Sequence, residues 1–194
     1  MIKTIYYTLV FGLYTIHVFA QKSERVIGIF KTAKDFSDGK LCSSIDCNSK
    51  KNKILLNDLF NEKYIILKQN DSNYKLLKNS IYGYETCNKK VYRFLNKKEL
   101  LLLNQEEKIL IYKQLLAKPL TGGRTNVTNY YFSIGKEGEV QKLIIKNLKT
   151  AFHNNTKFQV LIDNNFKYNM DLAAFDENNK IYKINWLLNK LKNK

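Results

Sequence analysis

Proline is almost missing from this 194-residue chain: Pro119 stands alone, and there are only eight glycines. That scarcity argues against collagen-like, linker-rich and low-complexity architectures. Histidine occurs twice, at His17 and His153, too few for a histidine-rich zinc site and enough for at most one Ser-His-Asp or Cys-His arrangement. The three cysteines, Cys42, Cys47 and Cys87, lack Cys-x-x-Cys spacing, so neither a metal nor another cofactor is expected. Arginine is confined to Arg25, Arg93 and Arg124, although it is the better bidentate reader of phosphate. The glycine spacing and terminal lysine of a phosphate loop are missing as well.

What the chain does have is a beginning that reads as an export signal. Lys3 and the amino terminus supply positive charge, residues 5–19 form an apolar run, and Val18-Phe19-Ala20 suits a signal peptidase. The run is broken by Thr8, Thr15 and His17 and falls short of the roughly 20 apolar residues of a membrane span. Residues 1–20 are therefore expected to be removed, with Gln21 as the mature start and no transmembrane segment left afterwards. No cysteine follows the run directly, which argues against a lipid anchor. The address implied is periplasmic or secreted.

Residues 21–194 suit a single domain. A hydrophobic content of 44% supports a core, and 13 tyrosines with 11 phenylalanines favour strands. Short apolar runs at 54–56, 64–68, 74–77, 91–95, 100–103 and 109–112 alternate with turn-like breaks. Residues 69–73 read as a hairpin loop, and Gly135-Lys136-Glu137-Gly138 as a second hairpin. Thr32 is placed to cap a helical turn through Lys34-Asp35-Phe36, which Ser37-Asp38-Gly39 then stops. Residues 114–128 break the rhythm and read as a long loop. From Lys146 the period becomes helical, with Thr156 as an N-cap. Ile181, Ile184, Leu187, Leu188 and Leu191 fall at helical spacing on one face of a last helix, with Lys180, Lys183, Asn185 and Lys190 opposite. The expectation is an α+β fold: a rolled antiparallel β-meander of about 7–8 strands over residues 26–145, closed by helices over about 146–192.

The formal charge of +16 invites a polyanion or membrane-surface reading. The lysines are scattered and never form a block of five or six, so a plain solvated basic surface accounts for them more simply. Nucleic acid is not expected as the partner of an exported protein. An oxidising compartment permits one disulfide. Cys47-Asn48-Ser49-Lys50 and Cys87-Asn88-Lys89-Lys90 are alike and each leads into an apolar run, which favours Cys47–Cys87, with Cys42–Cys47 as the rival.

Candidate functional residues are sparse. Gly122, Gly123 and Arg124 read first as a flexible hairpin excursion and second as an anion-binding loop, and Tyr82 and Tyr84 offer aromatic faces for stacking. No catalytic residue stands out. His153 reads as a helix-end residue favoured by the helix dipole. Of the carboxylate pairs Asp35/Asp38, Asp58/Glu62, Glu106/Glu107 and Asp176/Glu177, only Asp58 and Glu62 sit at helical spacing. Trp186 reads as packing, and the basic last helix is amphipathic enough to touch a membrane.

Gly28-Ile29-Phe30-Lys31-Thr32, Asp35-Phe36, Ile54-Leu55-Leu56-Asn57-Asp58, Ile81-Tyr82-Gly83-Tyr84, Tyr92-Arg93-Phe94, Tyr131-Phe132-Ser133-Ile134-Gly135, Leu148-Lys149-Thr150-Ala151-Phe152 and Tyr182-Lys183-Ile184-Asn185 span most of the chain. In these patterns it resembles a family of uncharacterised exported proteins of Bacteroidetes. That resemblance implies a Gram-negative exported protein and carries no assigned activity or site residue. The reading that remains is a non-enzymatic binding or interaction domain of the cell envelope. A carboxylate-based hydrolase and a polyanion or membrane-surface binder are the alternatives.

Overall fold

The computed structural model describes residues 26–49, 51–55, 63–70, 72–120 and 123–192. The proposed signal segment and the Asp58/Glu62 pair lie outside them. Thirteen strands and four α-helices are described, and the fold is α+β, mostly antiparallel sheet with C-terminal helices. Strands β1 (Val26–Phe30), β2 (Ser43–Asp46), β6 (Gly83–Glu85), β7 (Val91–Leu95), β8 (Lys98–Leu102), β9 (Ile109–Leu120), β10 (Gly123–Ile134) and β11 (Gln141–Lys142) form one antiparallel sheet. Their order is β11-β10-β9-β8-β7-β6-β1-β2. Strands β3 (Lys53–Leu55), β4 (Tyr64–Gln69) and β5 (Ser72–Leu77) form a separate three-stranded sheet. The local hairpins therefore sit where sequence spacing puts them, but β3–β5 leave the meander, and β1 fills the place between β2 and β6.

Period-two alternation divides the residues of the large sheet between its two faces. On β9, Ile109 and Ile111 join Phe132 and Leu143 in a core closed by the C-terminal helices, where Leu148, Phe158, Ile162, Ile184, Leu187 and Leu188 are buried. Leu110 and Tyr112 point the other way, into a second core with Phe30, Phe36, Val91, Leu100, Leu102 and Tyr131. At the far end of the sheet, Ile27, Ile29, Ile45, Tyr84 and Phe94 pack against Ile65 and Leu67 of β4. The register Phe132↔Ile111, Leu101↔Lys113, Tyr92↔Leu101 and Ile29↔Tyr84 puts the helix-covered core and the β4-covered core on the same face. One face is thus roofed twice, by helices at one end and by the small sheet at the other.

The helices are set by local chemistry. Helix α1 (Ala33–Ser37) is capped by Thr32: Asp35 N–H donates to Thr32 Oγ1 at 3.0 Å, and Thr32 N–H donates to Asp35 Oδ2 at 3.0 Å. Gly39 leaves it at φ 66°, which favours glycine. Helix α2 (Ile145–Ala151) ends beside exposed His153. Helix α3 (Thr156–Asn165) takes Asn155 as its cap, one residue before Thr156, because the Asn155 carboxamide oxygen reaches Phe158 N–H at 3.0 Å. Helix α4 (Lys183–Lys192) buries Ile184, Leu187 and Leu188 as their spacing predicts. It also buries Asn185 rather than presenting it to solvent with the lysines.

Residues 114–128 correct the sequence reading most. They are no loop: β9 and β10 pair without a break from Ile109↔Ile134 out to Leu120↔Gly123. Residues 121–122, between the last paired residues, lie outside the described residues. β8 pairs with β9 at Leu101↔Lys113 and Leu102↔Tyr112, and Leu103 N–H donates to Ile111 O at 2.9 Å. Beyond Gln114 each strand therefore has one described partner, which is where a strand tolerates proline such as Pro119.

Candidate functional site

The β4–β5 hairpin turns at Asn70, whose φ of 52° is a conformation asparagine tolerates better than most residues. Its register, Gln69↔Ser72 through Tyr64↔Leu77, together with Lys53↔Lys68 and Leu55↔Ile66 on β3, fixes the two faces. Ile65 and Leu67 point inward and are buried. The outward face carries Lys53, Lys68 and Asn73 in one row, Leu55, Ile66 and Lys75 in the next, and Tyr64 and Leu77 in the third. Leu55 is 40% exposed and Leu77 52%. An apolar strip in the middle of this face is bordered by lysines.

The electrostatics of that face are one-sided. β3, β4 and β5 contribute Lys53, Lys68 and Lys75 and no carboxylate. Lys53 stands directly opposite Lys68, a like-charge pairing that is unfavourable in a sheet. Lys75 Nζ lies 4.8 Å from the centroid of the Tyr64 ring and gains some compensation there. Past Leu77 the face runs into a shallow depression of about 270 Å³, lined by Lys63, Leu77, Asn79, Asn96 and Lys97. Among the described residues, none of these five lysines has an ion-pair partner. The depression adds two carboxamides, which donate and accept hydrogen bonds. This arrangement attracts anionic groups and offers apolar contact beside them.

Polar clusters elsewhere are committed to holding the fold. Arg93 Nη1 donates to Tyr112 Oη at 3.1 Å, to Ser133 Oγ at 3.4 Å and to Lys136 O at 3.3 Å, while Nη2 donates to Gly138 O at 3.0 Å. Tyr82 Oη donates to the same Lys136 O at 3.0 Å, and its ring lies under the guanidinium with 4.7 Å between them. Burial, reinforced by neighbouring Tyr112, pushes the Tyr82 hydroxyl well above the ordinary phenol range. Its bond to Lys136 O ties the loop after β10 to the sheet. Lys78, 2% exposed, pairs with Glu99 at 2.8 Å, and Tyr84 Oη donates to Glu99 Oε2 at 3.3 Å. Asp176 accepts from Asn178 and Asn179, and the bonds from Asn179 hold its carboxyl below the usual range.

The residues singled out from sequence do not come together. Tyr82 packs on Phe36, ring centroids 5.3 Å apart, and Tyr84 is fully buried against Tyr92. Neither ring forms an open stacking platform, because Phe36 and the Arg93 guanidinium cover Tyr82, and Tyr92 and Phe94 cover Tyr84. Gly123 and Arg124 begin β10 opposite Leu120 and Pro119, and Gly122 lies outside the described residues. Gly123 and Arg124 lie in a strand ladder with β9 and not in the loop that the sequence suggests. Cys47 is bonded to Cys87, with Cα atoms 5.6 Å apart, and Cys42 is a free, exposed thiol. Asp35 and Asp38 serve the two ends of α1, Asp38 also pairing with Lys34 at 3.0 Å. Trp186 packs against the helix-covered core with Lys190 over its ring. The lysine face was overlooked in the sequence, although counting alternate positions along residues 64–68 and 73–77 would have aligned it.

Among the described residues no group of three or more His, Cys, Asp or Glu side chains is placed to hold a metal ion. No described helix is long and apolar enough to cross a membrane. Comparison of the chain with protein-family models, curated proteins and solved structures gives no match.

Proposed function

We propose that this protein is an exported, non-catalytic binding domain of the cell envelope, and that it engages an anionic partner through the outward face of the β3–β4–β5 sheet. The observation that carries the reading is the set of lysines on that face without described carboxylate partners, arranged around exposed Leu55 and Leu77. Folding alone gains nothing from placing Lys53 opposite Lys68, whereas an acidic partner turns that repulsion into attraction. Export is supported by the Cys47–Cys87 disulfide, which suits an oxidising compartment.

Site-directed photocrosslinking in the source cells tests the proposal. A crosslinker at Leu77 is expected to give a discrete adduct, lost when Lys53, Lys68 and Lys75 are all changed to Glu. A crosslinker at exposed Val160 on α3 serves as the remote control. Adducts from Val160 alone, or a Leu77 adduct indifferent to the three charge reversals, would contradict the reading.

A further inference from the structure

Among the described residues β5 is an edge of the small sheet, and its chemistry narrows the kind of partner. In an antiparallel pair, alternate residues of an edge strand direct their backbone groups towards the partner strand and away from it. Lys78 N–H donates to Lys63 O at 2.9 Å. That bond fixes the parity of the ladder: Leu76 and Tyr74 face β4 with their backbone groups, while Asn73, Lys75 and Leu77 face outward. Leu77 O is taken by Ser80 Oγ at 2.8 Å. The N–H and C=O of Asn73 and Lys75 and the N–H of Leu77 have no backbone partner among the described residues, and β5 pairs with β4 alone.

Edge strands are ordinarily shielded by proline, bulges or inward-pointing charge. β5 has an unbroken six-residue register and no proline. It leaves Tyr74 51% exposed towards the inner face and Leu77 52% exposed towards the outer one, because no described strand lies beyond it to cover either side chain. Lys75 is the strand's only charged residue. It disfavours pairing with a second copy, since two β5 strands run antiparallel would bring their lysines together. It favours a strand that brings carboxylates.

We infer that β5 is a docking edge for an extended acidic segment of another protein, which adds as a fourth strand to the β3–β4–β5 sheet. The inference rests on the proposed role of that sheet as the binding surface. Main-chain bonds to Asn73, Lys75 and Leu77 supply the attachment, and alternate side chains supply selectivity. Acidic residues on the outer face meet Lys75 and Lys68, and apolar residues on the inner face cover Tyr74 and Leu76.

The test uses the full-length, disulfide-intact protein and a fluorescent peptide of alternating glutamate and valine. A second peptide of the same sequence is N-methylated at alternate amides, which keeps its charge but prevents strand addition. The first peptide is expected to bind at least about tenfold more tightly than the second. Asn73→Pro removes one outward donor without touching the β4 ladder or the charge. It should weaken the first peptide by about tenfold while leaving the thermal midpoint unchanged. Lys75→Glu should weaken it comparably and admit a lysine–valine peptide instead. Equal binding of the two peptides, or none by either, overturns strand addition, and so does undiminished binding to a folded Asn73→Pro variant. A concentration-dependent dimer abolished by Asn73→Pro overturns it in favour of a second copy. If that variant does not fold, the methylated pair still decides. Crosslinking at Leu77 that persists while strand addition fails leaves the binding face standing.

Discussion

Lys78 has 2% of its side chain exposed, is paired with Glu99, itself 14% exposed, and lies 5.7 Å from the Phe94 ring centroid. Burying two charges costs desolvation that the attraction only repays when both are present. Lys78→Met should therefore cost about 3 kcal/mol, since the buried Lys78–Glu99 pair loses its lysine charge. Adding Glu99→Leu should recover part of that loss, because it removes the carboxylate that Lys78 pairs with, while Tyr84 Oη gives up one acceptor. Urea denaturation of the three proteins checks both statements, and a double variant no better than the single one would contradict them. Nothing in the sequence separates Lys78 from its exposed neighbours, since a lysine's burial depends on what the chain brings over it from Glu99, 21 positions away. Thr32 is the opposite case. Its hydroxyl acts three residues along, within the span that a sequence pattern can resolve.

Helix α4 shows where legibility stops at the level of an element. Its apolar spacing gives the helix and its buried stripe, yet Asn185 reads as polar and so as outward. In the fold it faces the first residue of β9. Its Oδ1 accepts from Ile109 N–H at 2.9 Å, and its Nδ2 donates to Ile109 O at 2.8 Å. The carboxamide thus stands in for a neighbouring strand where the ladder leaves β9 unpaired on that side. Asn185→Ala removes both bonds inside a core and leaves the Ile109 N–H buried without its partner. The expected cost is about 2 kcal/mol. Asn185→Asp should be at least as harmful, since a carboxylate replaces the donor facing Ile109 O. Thermal unfolding of the two variants reads this directly, and a midpoint within a degree or so of the parent in both would remove Asn185 from its proposed role. The β9–β10 hairpin failed in the reverse sense. Its turn signal was visible at Gly122-Gly123, but Pro119 and the surrounding polar residues concealed a ladder whose outer part lacks the usual core-facing alternation.

Across the whole molecule, local hairpins were legible and long-range placement was not. β1 pairs with β6 at Ile29↔Tyr84, and β3–β5 stack over the large sheet through Ile65 and Leu67. Such contacts depend on which apolar faces meet, and period-two spacing alone does not choose among them. The disulfide bears on the same feature. Cys47 and Cys87 are separated by 40 positions, and the segment between them holds β3, β4, β5 and β6. It therefore closes the loop that carries the proposed binding sheet. Loop-closure entropy alone puts its contribution at about 4 kcal/mol, with native-state effects able to reduce this. Replacing Cys47 and Cys87 together by Ser should lower stability by about 2–4 kcal/mol in denaturant titration. It should also raise amide exchange in β3–β5 more than in α3 and α4, because the small sheet loses its tether while the helix-covered core keeps its packing. Replacing the exposed Cys42 alone should change neither measurement. Uniform acceleration of exchange throughout the chain would mean that the small sheet opens only with the rest of the fold and that the tether has no local role.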